Sequence, residues 1–135
     1  MAARKSLKVL MVCLGNICRS PTAHGVLSAL IKRRKLCDYL EVDSAGTGCW
    51  HLGEKPDRRS ISAAQLRGYD LGALIARQVK IMDFAQFDYI LAMDSDNLRN
   101  LDKICPNEYK DKLDLLLKFG PSSEIDFPYP FYVEN

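Results

Sequence analysis

Near the N-terminus a short apolar run gives way to a polar loop and then to a helix start, and this junction restricts the folds open to the chain. The run is Lys8-Val9-Leu10-Met11-Val12, the loop Cys13-Leu14-Gly15-Asn16-Ile17-Cys18-Arg19, and the helix opening Ser20-Pro21. A short β-prone run bounded by turn signals reads as a buried strand. Ser20 as N-cap and Pro21 at the first helical position predict the helix. A loop in that place aims backbone N–H groups and the positive end of the helix dipole at one point, where an anion binds. Cys13 would sit in a field that favours thiolate, the nucleophilic form. Arg19 adds a planar fork of donors matched to phosphate oxygens. Singly, a cysteine at a strand end is a small buried hydrophobe and Gly-Asn is ordinary turn chemistry. Together they predict a phosphate cradle with a nucleophile beneath it.

The rest of the chain alternates. Ala23, Val26, Leu27, Leu30 and Ile31 recur at helical spacing to about Lys35. Leu40 to Asp43 reads as a strand and Ser44-Ala45-Gly46-Thr47-Gly48 as a loop. Pro56-Asp57-Arg58 opens a second helix carrying Ile61, Ala64, Gln65 and Leu66 and stopping near Gly68. Gln78 to Lys80 is a brief extended piece and Asp83 to Phe87 a helical turn. Tyr89 to Met93 is a second buried strand, followed by an Asp94-Ser95-Asp96 cap and a helix with Leu98, Leu101 and Ile104 on its apolar face. Leu113 to Leu117 is a last strand. Such alternation predicts a parallel sheet covered on both faces, with ligands beyond the carboxyl ends of its strands. The Cys13 loop falls there.

At 135 residues the chain has room for one domain with its own core. A net charge of +2 gives no reason to expect a nucleic-acid partner, and Lys32-Arg33-Arg34-Lys35 suits a helix C-terminus. No apolar stretch approaches the ~20 residues of a membrane span, and Met1 to Ser6 lacks the pattern of a signal peptide. Five cysteines (Cys13, Cys18, Cys37, Cys49, Cys105) form neither a disulfide framework nor a zinc pattern. The expectations are a cytoplasmic protein, no membrane, no metal and no cofactor.

The segment Cys13 to Pro21 resembles the active-site loop of the low molecular weight protein tyrosine phosphatases. Val42-Asp43-Ser44-Ala45-Gly46-Thr47, Lys55-Pro56-Asp57, Ala76-Arg77-Gln78, Phe87 to Asp94 and Asn97-Leu98 look like further blocks of that family in the same order. The resemblance implies a flavodoxin-like four-stranded parallel sheet and metal-independent hydrolysis of phosphotyrosine proteins or small aryl phosphates, releasing inorganic phosphate. It implies that Cys13 attacks phosphorus, forming a cysteinyl-phosphate. The Arg19 guanidinium and the backbone N–H groups of Leu14, Gly15, Asn16, Ile17, Cys18 and Arg19 would hold the three non-bridging oxygens. Asn16, Ser20 and Ser44 match positions whose hydrogen bonds hold the loop. Cys18 matches a second cysteine able to trap Cys13 as a disulfide, beside the simpler reading of a packed small residue. Trp50 falls where the family has a substrate-facing aromatic at the cleft rim, suited to stacking on an aryl ring. His24 and His51 read as surface or cap residues without a paired partner.

The family delivers its leaving-group proton from an aspartate in an Asp-Pro-aromatic-aromatic loop. Here the corresponding residues run Ile125-Asp126-Phe127-Pro128-Tyr129-Pro130-Phe131-Tyr132. Aligning the prolines puts Tyr129, a poor acid, at that place, whereas aligning Asp126 keeps the carboxyl group and inserts Phe127. Asp126 is the candidate general acid. The chain stops at Asn135, short of the family's C-terminal helix, so an apolar patch is expected on one sheet face. Two other activities fit this loop. One is arsenate reduction, which wants a relay of later cysteines. The other is phosphoprotein binding by a pseudophosphatase without a competent acid.

Overall fold

The computed structural model describes residues 6–119. Four strands, β1 (Leu7–Cys13), β2 (Leu40–Gly46), β3 (Tyr89–Ala92) and β4 (Leu113–Leu115), pair in the order β2-β1-β3-β4. All three pairings are parallel, with Val12 beside Ala45 on one side and Ala92 on the other. Four helices connect them: α1 (Arg19–Arg33), α2 (Arg58–Leu66), α3 (Ile81–Gln86) and α4 (Ser95–Ile104). The alternation of apolar runs predicts the parallel sheet, and the family resemblance implies its flavodoxin-like, four-stranded form.

The pleat of β1 divides the core. Leu10 and Val12 point to one face, where they meet Phe84, Phe87, Ile90, Leu101 and Leu115 in a cluster closed by α3 and α4. Val9, Met11 and Cys13 point to the other, packing with Ala23 of α1, Leu91 and Met93. Alternate residues of a strand line opposite faces, so a strand apolar at every position must be covered on both. On the α1 face an apolar groove of about 570 Å³ runs between Val9, Met11, Leu27, Leu30, Leu91 and Phe119. The stretch after Phe119, on which the expected lack of the family's C-terminal helix rests, lies outside the described residues.

Local chemistry accounts for the helix starts with two corrections. Asp57 caps α2 by accepting from the Arg59 N–H, and Asp94 caps α4 by accepting from the Asn97 N–H. Ser20, by contrast, is not an N-cap. Helix α1 begins at Arg19 with Cys18 as its N-cap, and no side chain caps it. The Ser20 hydroxyl is engaged elsewhere, by Cys13 and Asn16. The second correction is β2, which continues through Ser44, Ala45 and Gly46, residues whose turn-like composition predicts a loop. Leu66, expected on an apolar face of α2, is 89% exposed; Ala64 alone of the four residues expected on that face is buried. Strand β4 gives way after Leu115 to a 3-10 turn over Leu116–Phe119.

Candidate active site

The loop between β1 and α1 lies at the carboxyl edge of the sheet. Its shape follows from where its carbonyls go. Thr47 N–H donates to the Cys13 carbonyl (3.0 Å) and Gly48 N–H to that of Leu14 (2.8 Å). Asp57 N–H donates to the Ile17 carbonyl (2.5 Å), and Cys18 O accepts from Thr22 N–H and Thr22 Oγ1. With these carbonyls bound outward, the N–H groups of Leu14, Gly15, Ile17 and Cys18 have no acceptor among the described residues. A row of unpaired N–H groups ahead of a helix N-terminus is an anion cradle. Gly46 makes the approach of β2 possible, since a Cβ there would lie 2.7 Å from the Leu14 carbonyl oxygen and 3.0 Å from Asn16 N.

Cys13 ends β1 and is 3% exposed. Two donors reach its sulfur: Asn16 N–H at 3.3 Å and the Ser20 hydroxyl at 3.0 Å. Asn16 Nδ2 donates to Ser20 Oγ at 2.8 Å, and the Ala45 carbonyl oxygen lies 3.5 Å from the same hydroxyl. A thiolate sulfur can only accept, so with Cys13 in that form the Ser20 hydrogen is the one that joins the pair. Both contacts suit a sulfur that carries negative charge. Asn16 takes the left-handed conformation (φ +57°), tolerated best by Gly and by Asn. Its Oδ1 accepts from the Arg77 N–H at 3.0 Å. Arg77 is itself pinned by a two-pronged bond to Asp83 (2.9 and 3.1 Å) and one to Asp43 (3.2 Å).

Arg19 is 2% exposed, and its Nη1 donates to Asp94 Oδ2 at 2.7 Å. Parallel pairing of β1 with β3 brings the two residues together, because each follows its strand's carboxyl end. Asp94 reads from the sequence only as a helix cap. Its second task, holding the arginine, has no local sequence signal. The same is true of Arg77 and of the Thr47 and Gly48 N–H donors.

Cys18 is buried, and burial pushes its thiol above the ordinary value, with the neighbouring Ser60 hydroxyl pulling the other way. Ser44 is buried and bonded to His24 (Nδ1 to Oγ, 2.8 Å) rather than to the loop. His24 and His51 both have partners, contrary to expectation: Ser44 for the first and Glu54, at 2.8 Å, for the second. Burial lowers the His24 pKa, against a smaller opposing pull from Asp43. Trp50 is 68% exposed and lies over Gly48, where a Cβ would collide with its ring. The His51 ring packs on Gly15 of the loop. Asp126 and Tyr129 lie outside the described residues. No cluster of metal-ligating side chains occurs among the described residues, and no described helix is long and apolar enough to cross a membrane.

Comparison with known proteins agrees with this geometry. Residues 8–135 match the family model described as low molecular weight phosphotyrosine protein phosphatase. A Schizosaccharomyces pombe protein of that name is 41% identical over 129 residues, spanning 93% of this chain and 82% of its own. The Homo sapiens protein of the same name is 39% identical over 138 residues, or 98% and 84% of the two chains. Among solved structures, a protein tyrosine phosphatase from Entamoeba histolytica superposes with a TM-score of 0.89 at 41% identity, covering 94% of this chain and 81% of its own. YfkJ from Bacillus subtilis gives 0.90 at 35% identity, covering 97% and 83%. The chain belongs to the low molecular weight phosphotyrosine protein phosphatase family.

Proposed function

We propose that this protein hydrolyses phosphotyrosine side chains and small aryl phosphates through a cysteinyl-phosphate intermediate. The observation that carries this reading is the sulfur of Cys13, beside Asn16 N–H and the Ser20 hydroxyl, in a loop where the N–H groups of Leu14, Gly15, Ile17 and Cys18 have no acceptor among the described residues. In the first step the thiolate attacks phosphorus in line. The S–P bond forms as the P–O bond to the aryl group breaks. Asp126, as general acid, gives its proton to the departing oxygen. The Arg19 guanidinium and the loop N–H groups hold the non-bridging oxygens where charge spreads in the transition state. In the second step water attacks phosphorus and gives a proton back to the Asp126 carboxylate. The S–P bond then breaks, returning the thiolate and releasing inorganic phosphate. Trp50 stacks on the substrate ring at the rim. Every step runs without a metal or cofactor.

Steady-state hydrolysis of para-nitrophenyl phosphate tests this. Cys13→Ser should abolish turnover while phosphate binding remains measurable, and wild-type activity in that variant would sink the assignment. Asp126→Asn should lower kcat by ~10²-fold and remove the basic limb of the pH–rate profile. A phosphocysteine that accumulates without turnover in the wild-type chain would instead mark a protein that binds phosphoproteins. Thiol consumption driven by arsenate would mark a reductase.

A further inference from the structure

Behind the first turn of α1 lies a second cavity, of about 420 Å³, between α1 and α2. It shares Cys18 and Arg19 with the phosphate loop, but Cys13, Leu14, Ile17 and Trp50 are not part of its wall. Small side chains create it: Ser60, Ala63 and Ala64 on α2 leave the space that larger residues would fill against Thr22 and Val26 of α1. The turn at Gly68 (φ +86°) and the bond from Tyr69 N–H to the Ala64 carbonyl (2.9 Å) bring Arg67 and Tyr69 round to complete the wall.

Three features give this cavity a chemical character. Ser60 is buried, and its hydroxyl has no nitrogen or oxygen partner among the described residues. It bonds toward the Cys18 sulfur, a weak acceptor that a nitrogen or oxygen acceptor entering the cavity would outcompete. A buried hydroxyl without such a partner is uncommon in native proteins and is an open offer to an acceptor. Arg67 is exposed at the edge, with no carboxylate partner among the described residues. Between them the wall is apolar, and the Tyr69 ring is polarised by the Arg33 guanidinium 5.5 Å from its centroid. A mostly apolar cavity with a few convergent polar groups is the ordinary form of a small-molecule site.

We propose that this cavity is a second ligand site, separate from the phosphate cradle, for a flat aromatic carboxylate. The ring lies along Val26 and Ala63 against Tyr69, a polar atom on its far end accepts from the Ser60 hydroxyl, and the carboxylate meets Arg67 at the mouth. Charge and shape both select: a neutral ring forfeits Arg67, and an aliphatic carboxylate forfeits the wall.

The test uses 6-hydroxy-2-naphthoate as probe, titrated calorimetrically into the full chain with inorganic phosphate present at saturation to occupy the cradle. The expected result is binding with a Kd of about 1 mM or tighter, the affinity usual for a ligand of this size. Ala63→Trp, at an exposed helix position, should weaken binding at least tenfold with an unchanged circular dichroism spectrum, and Arg67→Ala should weaken it severalfold. Absence of binding, or affinity untouched by Ala63→Trp, overturns the proposal. So does competition by phosphate, which would put the probe in the cradle.

Discussion

At the scale of single residues, the pair that most constrains the site is Arg19 with Asp94. A guanidinium that is 2% exposed keeps its charge in a poorly solvated place because a carboxylate stands 2.7 Å away. Removing one partner of such a pair leaves an uncompensated charge, at a cost of about 3 kcal/mol or more. Asp94→Asn can keep the oxygen that caps α4 but then turns its NH2 toward Arg19, so it removes the charge and the arginine's acceptor together. The variant should unfold at lower denaturant concentration and lose at least tenfold in kcat/KM, because Arg19 is no longer aimed. Saturating phosphate should narrow the stability gap by supplying the missing anion. An equal gap with and without phosphate would show that the pair supports the fold but not the cradle.

His24 is the other residue with a sharp expectation. Burial favours its neutral form, so its pKa in the folded protein lies below the ordinary value near ~6.5. The unfolded chain then binds the proton more readily, and stability rises with pH across the interval between the two values. Stability from this group is therefore complete above the unfolded pKa and is lost as pH falls from neutrality toward the folded pKa. Chemical denaturation at a series of pH values should show this loss on the acid side of neutrality. His24→Gln, which keeps a polar partner for Ser44, should flatten it. A slope unchanged by that substitution assigns the proton to another group.

At the scale of elements, legibility depended on whether a residue's partners are local. Strands β1 and β3 stand out because burial on both faces demands unbroken apolar runs. Asp57 and Asp94 are readable as caps because an aspartate caps its own helix within three residues. Ser20 looks the same in the sequence, yet its hydroxyl serves Cys13 and Asn16. Ser44, Ala45 and Gly46 carry turn chemistry but extend β2, and at Gly46 the missing Cβ is what lets the strand pass against the loop. The bonds from Arg77 to Asn16 and from His24 to Ser44 cross 61 and 20 positions, and no local pattern encodes them. The loop was legible as chemistry, whereas the scaffold that holds it was not. Asp57 belongs to that scaffold twice, through its side chain on α2 and its own N–H on Ile17 O. Burial works against its charge, but the Arg59 N–H and side chain hold its carboxyl below the usual value. Asp57→Ala leaves the backbone bond and removes the cap, so it should cost about 1 kcal/mol of stability. Because the Ile17 carbonyl is still held, KM for an aryl phosphate should change less than twofold. A larger rise in KM would mean that the cap, not the backbone bond, positions the loop.

At the scale of the whole molecule, the site is a convergence of segments distant in sequence. The loop takes its nucleophile from the end of β1, its outward bonds from the residues after β2 and before α2, and its arginine's partner from the start of α4. Each of these contacts joins a different part of the sheet edge, so an anion in the cradle ties together elements that would otherwise separate on unfolding. Binding to the folded state alone stabilises it by an amount set only by ligand concentration and affinity, about 2.7 kcal/mol at a hundredfold excess over Kd. For a chain of this length that corresponds to a rise in Tm of roughly 10 °C. Inorganic phosphate should produce this rise in thermal unfolding, and Cys13→Ser should retain it, because the thiol attacks the anion but the N–H groups and Arg19 hold it. Arg19→Ala should lose most of it. A rise equally large in Arg19→Ala, or one reproduced by chloride at the same ionic strength, would mean that phosphate acts through general screening rather than in the cradle.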